Sequence, residues 1–196
     1  MIVFFGPAGS GKSTQGRIIA DKFGWKWLSV GQVLRDTGKF SQTLKEGGLV
    51  DDNEVIRLMN KEIEKADSEG INVVLDGYPR DITQAKWMDE NEVIEKIELA
   101  IVLKVPKEEL FKRIENRGRE DDTKEVVERR FEVFEQNICS ILPIMERKNV
   151  KIVEVDGVGG FDEITDELIG IIEENVEEAE VVEEKAEVSI EQSYGE

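Results

Sequence analysis

The sequence predicts an α/β fold of three αβα layers, with a five-stranded parallel sheet between helices. Three observations carry this. Short apolar runs alternate along the chain with longer segments of helical spacing, the order expected of strand–helix units. The runs are apolar at successive positions, as strands buried on both faces are. The first run also ends in a glycine-rich turn that leads into a helical segment, a phosphate-binding arrangement of the P-loop NTPase type.

Ile2 to Phe5 is the first strand and ends at Gly6. Ser13 to Phe23 follows with helical spacing, Ile18, Ile19 and Phe23 being apolar. Trp27-Leu28-Ser29 is read as a second strand, and Gly31 to about Lys65 as two or three short helices in a mostly polar stretch. Ile71 to Leu75 is a buried strand ending at Asp76, Leu99 to Val105 another, and Lys151 to Val155 the fifth. Helices are expected from about Thr83 to Ile94, from Lys107 to Asn116 after Pro106, and from Thr123 to about Glu146. The last expected helix runs from about Asp162 to Ile172, and no internal repeat is visible.

Composition narrows the function. The chain has 196 residues, of which 39% are hydrophobic, enough for one α/β domain with a buried core. Its net charge of −18 argues against general binding to nucleic acid or anionic membrane. Residues 173–196 hold ten Glu and one Lys, a balance of −9, which leaves −9 for the other 172 residues. This acidic tail is read as a solvated extension, or as a self-association helix, because Val176, Ala179, Ala186 and Ile190 follow a rough heptad seam that Glu183 interrupts. No His is present, which removes imidazole catalysis and His metal ligation. The single Cys139 forms no internal disulfide and no cysteine-rich metal site. No apolar run reaches a bilayer-spanning length, and the N-terminus reads as a strand rather than a signal peptide. A cytoplasmic location is expected.

Gly6-Pro-Ala-Gly9-Ser10-Gly11-Lys12-Ser13 fits the G-x-x-x-x-G-K-S/T pattern at every fixed position. Glycines there let backbone N–H groups close around phosphates, and the following helix start adds partial positive charge. Lys12 is expected to reach the β- and γ-phosphates, and the Ser13 hydroxyl to help hold Mg²⁺. A second anchor is Asp76-Gly77-Tyr78-Pro79-Arg80, delivered by a strand to the carboxyl edge of the sheet. Asp76 there can orient Mg²⁺ or its waters, and Arg80 offers a forked donor to phosphate.

Four blocks in order resemble adenylate kinases. They are residues 6–15 (GPAGSGKSTQ), 28–35 (LSVGQVLR), Asp76-Gly-Tyr-Pro-Arg80 with Gln84, and Arg117-Gly-Arg119-Glu-Asp121-Asp122 followed by Arg129-Arg130. The resemblance covers residues 1 to about 172. It implies phosphoryl transfer from ATP to AMP, giving two ADP, with Mg²⁺. It assigns Gly9, Ser10, Gly11, Lys12, Ser13 and Thr14 to the ATP phosphates, with Arg113, Arg117 and Gly157 also on the ATP side. Val30, Gly31, Arg35, Gly48, Leu49, Val50, Gly77, Arg80 and Gln84 would bind AMP, Gln84 through the base. Arg117 and Arg119 would belong to the lid hinge on the ATP phosphates, Arg130 would bridge the transferring group, and Arg119 and Arg130 would also contact AMP. Catalytic roles fall to Lys12, Arg80, Arg117, Arg119 and Arg130, and metal-holding roles to Ser13 and Asp76.

The implied organisation is a core of residues 1–29, 61–115 and 120–172, a helical monophosphate-binding insert at 30–60, a vestigial lid at 116–122, and the tail at 173–196. Only Gly118 separates Arg117 from Arg119, where the long forms carry a whole lid domain, so no lid zinc is expected. Val30 stands where adenylate kinases usually place Thr, and UMP/CMP kinases place a small apolar residue nearby. Those enzymes usually lack the Gln found here at 84. A UMP/CMP kinase therefore remains the alternative substrate reading. A non-catalytic nucleotide switch is a further one, although no guanine-reading Asn-Lys-x-Asp motif is present. A small-metabolite kinase of the shikimate kinase kind would leave Asp76 to Gln84 unexplained. Nucleotides are the expected partners, and oligomeric state is open.

Overall fold

The structure is a computed structural model that describes residues 1–40, 43, 50–117 and 124–175. The expected site residues Gly48, Leu49 and Arg119, most of the acidic tail and most of the lid loop lie outside the described residues, and so does the Arg117 side chain. Five parallel strands form one sheet: β1 (Ile2–Phe5), β2 (Lys26–Ser29), β3 (Val73–Asp76), β4 (Leu99–Lys104) and β5 (Lys151–Asp156), in the order β2-β3-β1-β4-β5. The helices are α1 (Lys12–Phe23), α2 (Val30–Asp36), α3 (Asp52–Ser68), α4 (Ile82–Glu90), α5 (Lys107–Arg117) and α6 (Lys124–Arg147). A further helix, α7, covers 161–175.

The two faces of the sheet explain why the strands read as continuous apolar runs. In β1, Val3 and Phe5 pack on one side with Met59 and Ile63 of α3, Met88 of α4 and Ile141 of α6. Ile2 and Phe4 pack on the other with Ile19 of α1 and Leu168 of α7. Both faces are covered, so no polar alternation survives in the strands. Ile101, in the middle of β4, is 0% exposed. Ile101→Ala is expected to destabilise the fold by about 3 kcal/mol through lost burial and a residual cavity, lowering the melting temperature by roughly 6–12 °C. A thermal melt reads this directly; a shift under about 2 °C would contradict the packing described.

Several boundaries differ from the sequence expectation, each for a local reason. Ile71 is 37% exposed and precedes the strand. Its N–H donates to Ala66 O at 2.9 Å after Gly70 turns with φ +65°, so Gly70-Ile71 closes α3 instead of opening β3. The polar stretch before it holds one long helix rather than only short ones. Asp51 caps α3 by accepting from the N–H groups of Asn53 and Glu54, and the helix runs on to Ser68, past residue 60. The helix expected to reach Ile94 stops at Glu90; Glu92 takes φ +57°, and a short 3-10 turn covers Ile94–Lys96. Among the described residues, no helix is long and apolar enough to cross a membrane.

Candidate active site

All strands run the same way, so the turns after β1, β3 and β5 open at one edge of the sheet. The turn after β1 passes through Gly9 with φ +87° and Gly11 with φ +94°, values that side-chain-bearing residues rarely adopt. A Cβ on Gly9 would stand 2.9 Å from Ile114 Cγ1 and 3.3 Å from Leu110 O, because α5 closes against the loop. Gly11 caps α1 without a side-chain hydrogen bond, so no cap side chain takes up the first N–H groups of the helix. Lys12 Nζ donates to Pro7 O at 3.2 Å. Its Cε would lie 3.6 Å from a Cβ on Gly77, so the lysine stands between the β1 and β3 turns. Ser13 and Thr14 are exposed at the helix start, whereas Ser10 is buried beneath the loop.

Arg113, reaching in from α5, straps this loop to the turn after β5. Its Nη2 donates to Gly157 O at 2.8 Å, its Nη1 makes a long 3.5 Å contact to Ser10 O, and its Nε donates to Glu109. Gln15, which the sequence reading did not assign, ties the same region to α7. Its Nε2 contacts Phe161 O at 3.4 Å, and its Oε1 accepts from Thr165 Oγ1 at 2.9 Å.

Asp76 ends β3 directly beside Phe4 of β1 and Ser29 of β2, and Gly77 N–H donates to Phe4 O. Its carboxylate is 1% exposed, and neither oxygen has a hydrogen-bond partner among the described residues. A buried carboxylate left unpaired is costly unless a cation or donor meets it. Arg80 follows on the same turn, after a cis Tyr78–Pro79 peptide, with Nε donating to Gly77 O at 2.8 Å. Desolvation among the surrounding protein lowers the Arg80 pKa from its ordinary value. Asp76 and Asp81 act in the opposite direction, while Arg130 and Arg35 lower it further. Arg80 is nonetheless an exposed residue and stays a cation at neutral pH. Arg35 of α2 and Arg130 of α6 are thus each near enough to repel Arg80 on the β3 turn. Arg35 also donates to Gln32 and lies close to Gly31.

Of the residues expected around a monophosphate, Val30 is 2% exposed within the core cluster, and Val50 is half-buried against it. Gln84 is 3% exposed; its Oε1 accepts from Arg80 N–H at 2.9 Å and its Nε2 donates to Asp52 Oδ1 at 2.8 Å. Asp52 was not singled out from sequence, since a contact across 32 residues leaves no local signal. Asp81 caps α4 by accepting from Thr83 and Gln84 N–H groups. Burial pushes its carboxyl above the usual range and neighbouring Asp52 adds to the rise, while those two N–H groups oppose it.

A sequence model of the adenylate kinase family matches residues 4–150, a span that contains the P-loop, the Asp76 turn and the three arginines. The chain belongs to the adenylate kinase family. It is 32% identical to an adenylate kinase of Petrotoga mobilis, the match covering 87% of this chain and 96% of that protein. It is 34% identical to one of Maricaulis maris (88% and 98%) and 33% identical to one of Thermus thermophilus (83% and 91%). Family and relatives make it a nucleotide-binding phosphotransferase of the nucleoside monophosphate kinase class. The fold agrees with an adenylate kinase built around a P-loop.

Proposed function

We propose that the chain moves a phosphoryl group reversibly between ATP and AMP by positioning two polyanions and neutralising their charge, without a general base. The observation that carries this is the gathering of Arg35, Arg130 and the buried Asp76 about Arg80, with Lys12 beside the same Gly77 turn at one sheet edge. The acceptor oxygen of a monophosphate is already anionic at neutral pH, so no proton need be removed before attack. A chain without His is suited to that chemistry.

In this reading the loop N–H groups of Gly9 to Thr14 hold the donor phosphates. Lys12 follows the β- and γ-phosphates, and Arg113 braces the loop through its bond to Gly157. Arg35 and Arg80 grip the acceptor phosphate, which also relieves the repulsion among the arginines. Arg117, Arg119 and Arg130 meet the transferring group, and the short loop at 116–122 takes the place of a lid. Residues 30–60 would act as the monophosphate-binding insert, with Gly31, Gly48, Leu49, Val50 and Gly77 around the acceptor.

Ser13 and Asp76 would hold a magnesium ion that neutralises charge on the donor phosphates. The donor set fits: magnesium is commonly bound through one or two carboxylates together with substrate phosphates and waters, and the orphaned Asp76 oxygens need such a partner. Among the described residues no trio of acidic or cysteine side chains competes for that ion. Asp76→Asn is expected to lower kcat about 100-fold and to raise the magnesium concentration needed for half-maximal rate. An unchanged magnesium titration would remove Asp76 from this role.

The acceptor assignment is tested by ADP release with ATP and Mg²⁺ against AMP, UMP, CMP, GMP and shikimate. Stimulation by AMP alone is expected. Stimulation by UMP or CMP instead would overturn the acceptor, and silence with every acceptor would overturn the reaction.

A further inference from the structure

The amide of Gln84 is held at both ends, and this fixes which way it points. Its carbonyl accepts from a backbone N–H, that of Arg80, and its NH₂ donates to a carboxylate, that of Asp52. Turning the amide over would set NH₂ against N–H and carbonyl against carboxylate, losing both bonds in a side chain that is 3% exposed. Buried groups left unpaired in this way are expensive, so the turned state is suppressed. The backbone beneath it is pinned as well, since Asp81 accepts from the Gln84 N–H at 3.0 Å. An amide offers two N–H donors and two acceptor positions, so one of each remains for a ligand, in a fixed order.

That order matters for purines. An adenine presents an amino donor at position 6 beside a ring-nitrogen acceptor, whereas a 6-oxopurine presents an acceptor at position 6 with an N–H beside it. A glutamine that turns freely matches either base by flipping. Seated with position 6 toward the Gln84 Oε1, a base meets a locked amide that matches only the first.

We propose that Asp52 is a specificity-determining residue, which by locking the Gln84 amide selects 6-aminopurine monophosphates over their 6-oxo counterparts. Asp52 acts through Gln84 and is a positioning residue. The proposal rests on the reading above that Gln84 meets the acceptor base. It deepens that reading, because discrimination is assigned to a residue at the start of α3 that need not touch the base.

The test compares kcat/KM for AMP and IMP, with ATP as donor, in the wild-type enzyme and in Asp52→Ala, Asp52→Asn and Gln84→Ala. The wild type is expected to prefer AMP by at least about 100-fold. Asp52→Ala should shrink that ratio about 10-fold or more, mostly through KM and with kcat for AMP little changed. Asp52→Asn keeps an oxygen that can accept from Gln84 Nε2 and should restore most of the ratio. A merely structural role predicts that Asp52→Ala slows both acceptors equally, and an unchanged ratio would overturn the proposal. Gln84→Ala separates the two levels. If it abolishes discrimination while Asp52→Ala does not, the lock alone fails; if it leaves the ratio intact, the reading of Gln84 fails and the proposal with it.

Discussion

Replacing Lys12 with methionine is expected to lower kcat about 1,000-fold or more while leaving the fold intact. The magnitude follows from what a single preorganised cation contributes to phosphoryl transfer, where charge spreads over the transferring oxygens and little covalent chemistry is left to the protein. Methionine keeps a stem of similar length. The half-buried position between the β1 and β3 turns therefore stays filled, while the charge and the donation to Pro7 O are lost. Steady-state rates with ATP and AMP, paired with a thermal melt, check both parts. A kcat within tenfold of wild type would show that Lys12 does not follow the charge of the transferring group.

Arg80→Lys should be nearly as severe, about 100- to 1,000-fold in kcat/KM for AMP, although the formal charge is kept. Arginine presents a rigid fork that matches two phosphate oxygens at once, and lysine presents a point charge. The guanidinium here is braced by its own Nε donating to Gly77 O at 2.8 Å, so its remaining donors are aimed rather than wandering. Lysine would lose that brace. The backbone N–H that holds Gln84 is untouched by the change, so base preference should survive in the residual activity. A variant within tenfold of wild type for AMP would mean that charge alone suffices and that the fork is not used.

The parts of this protein legible from sequence are those whose physics is local. The phosphate loop carries its glycines, lysine and serine in one unbroken stretch, and the strand before it is apolar at every position because both faces are covered. Asp76 was visible as the charged end of an apolar run. Harder to read were features set by contacts between distant segments. Lys26 looks like loop, yet it opens β2, with Nζ reaching Glu62 of α3 at 2.9 Å. Ile71 looks like strand, yet it closes a helix. The length of α3 did leave a local trace: Asp51 followed three residues later by Glu54 is a start signal that the polar composition obscured. Asp52 left none, since its bond to Gln84 exists only because α3 comes to rest beside α4.

In the proposed mechanism two nucleotides are held with their phosphates in line, one on the loop and one on the arginines. The most direct measurement gives the enzyme ADP as its only nucleotide, with Mg²⁺, and follows all nucleotides by chromatography. ATP and AMP are expected to appear in equal amounts until the reaction reaches equilibrium, with Lys12→Met and Arg80→Lys both slowing their formation. ADP that stays unchanged, or is converted to AMP and free phosphate without ATP, would contradict it.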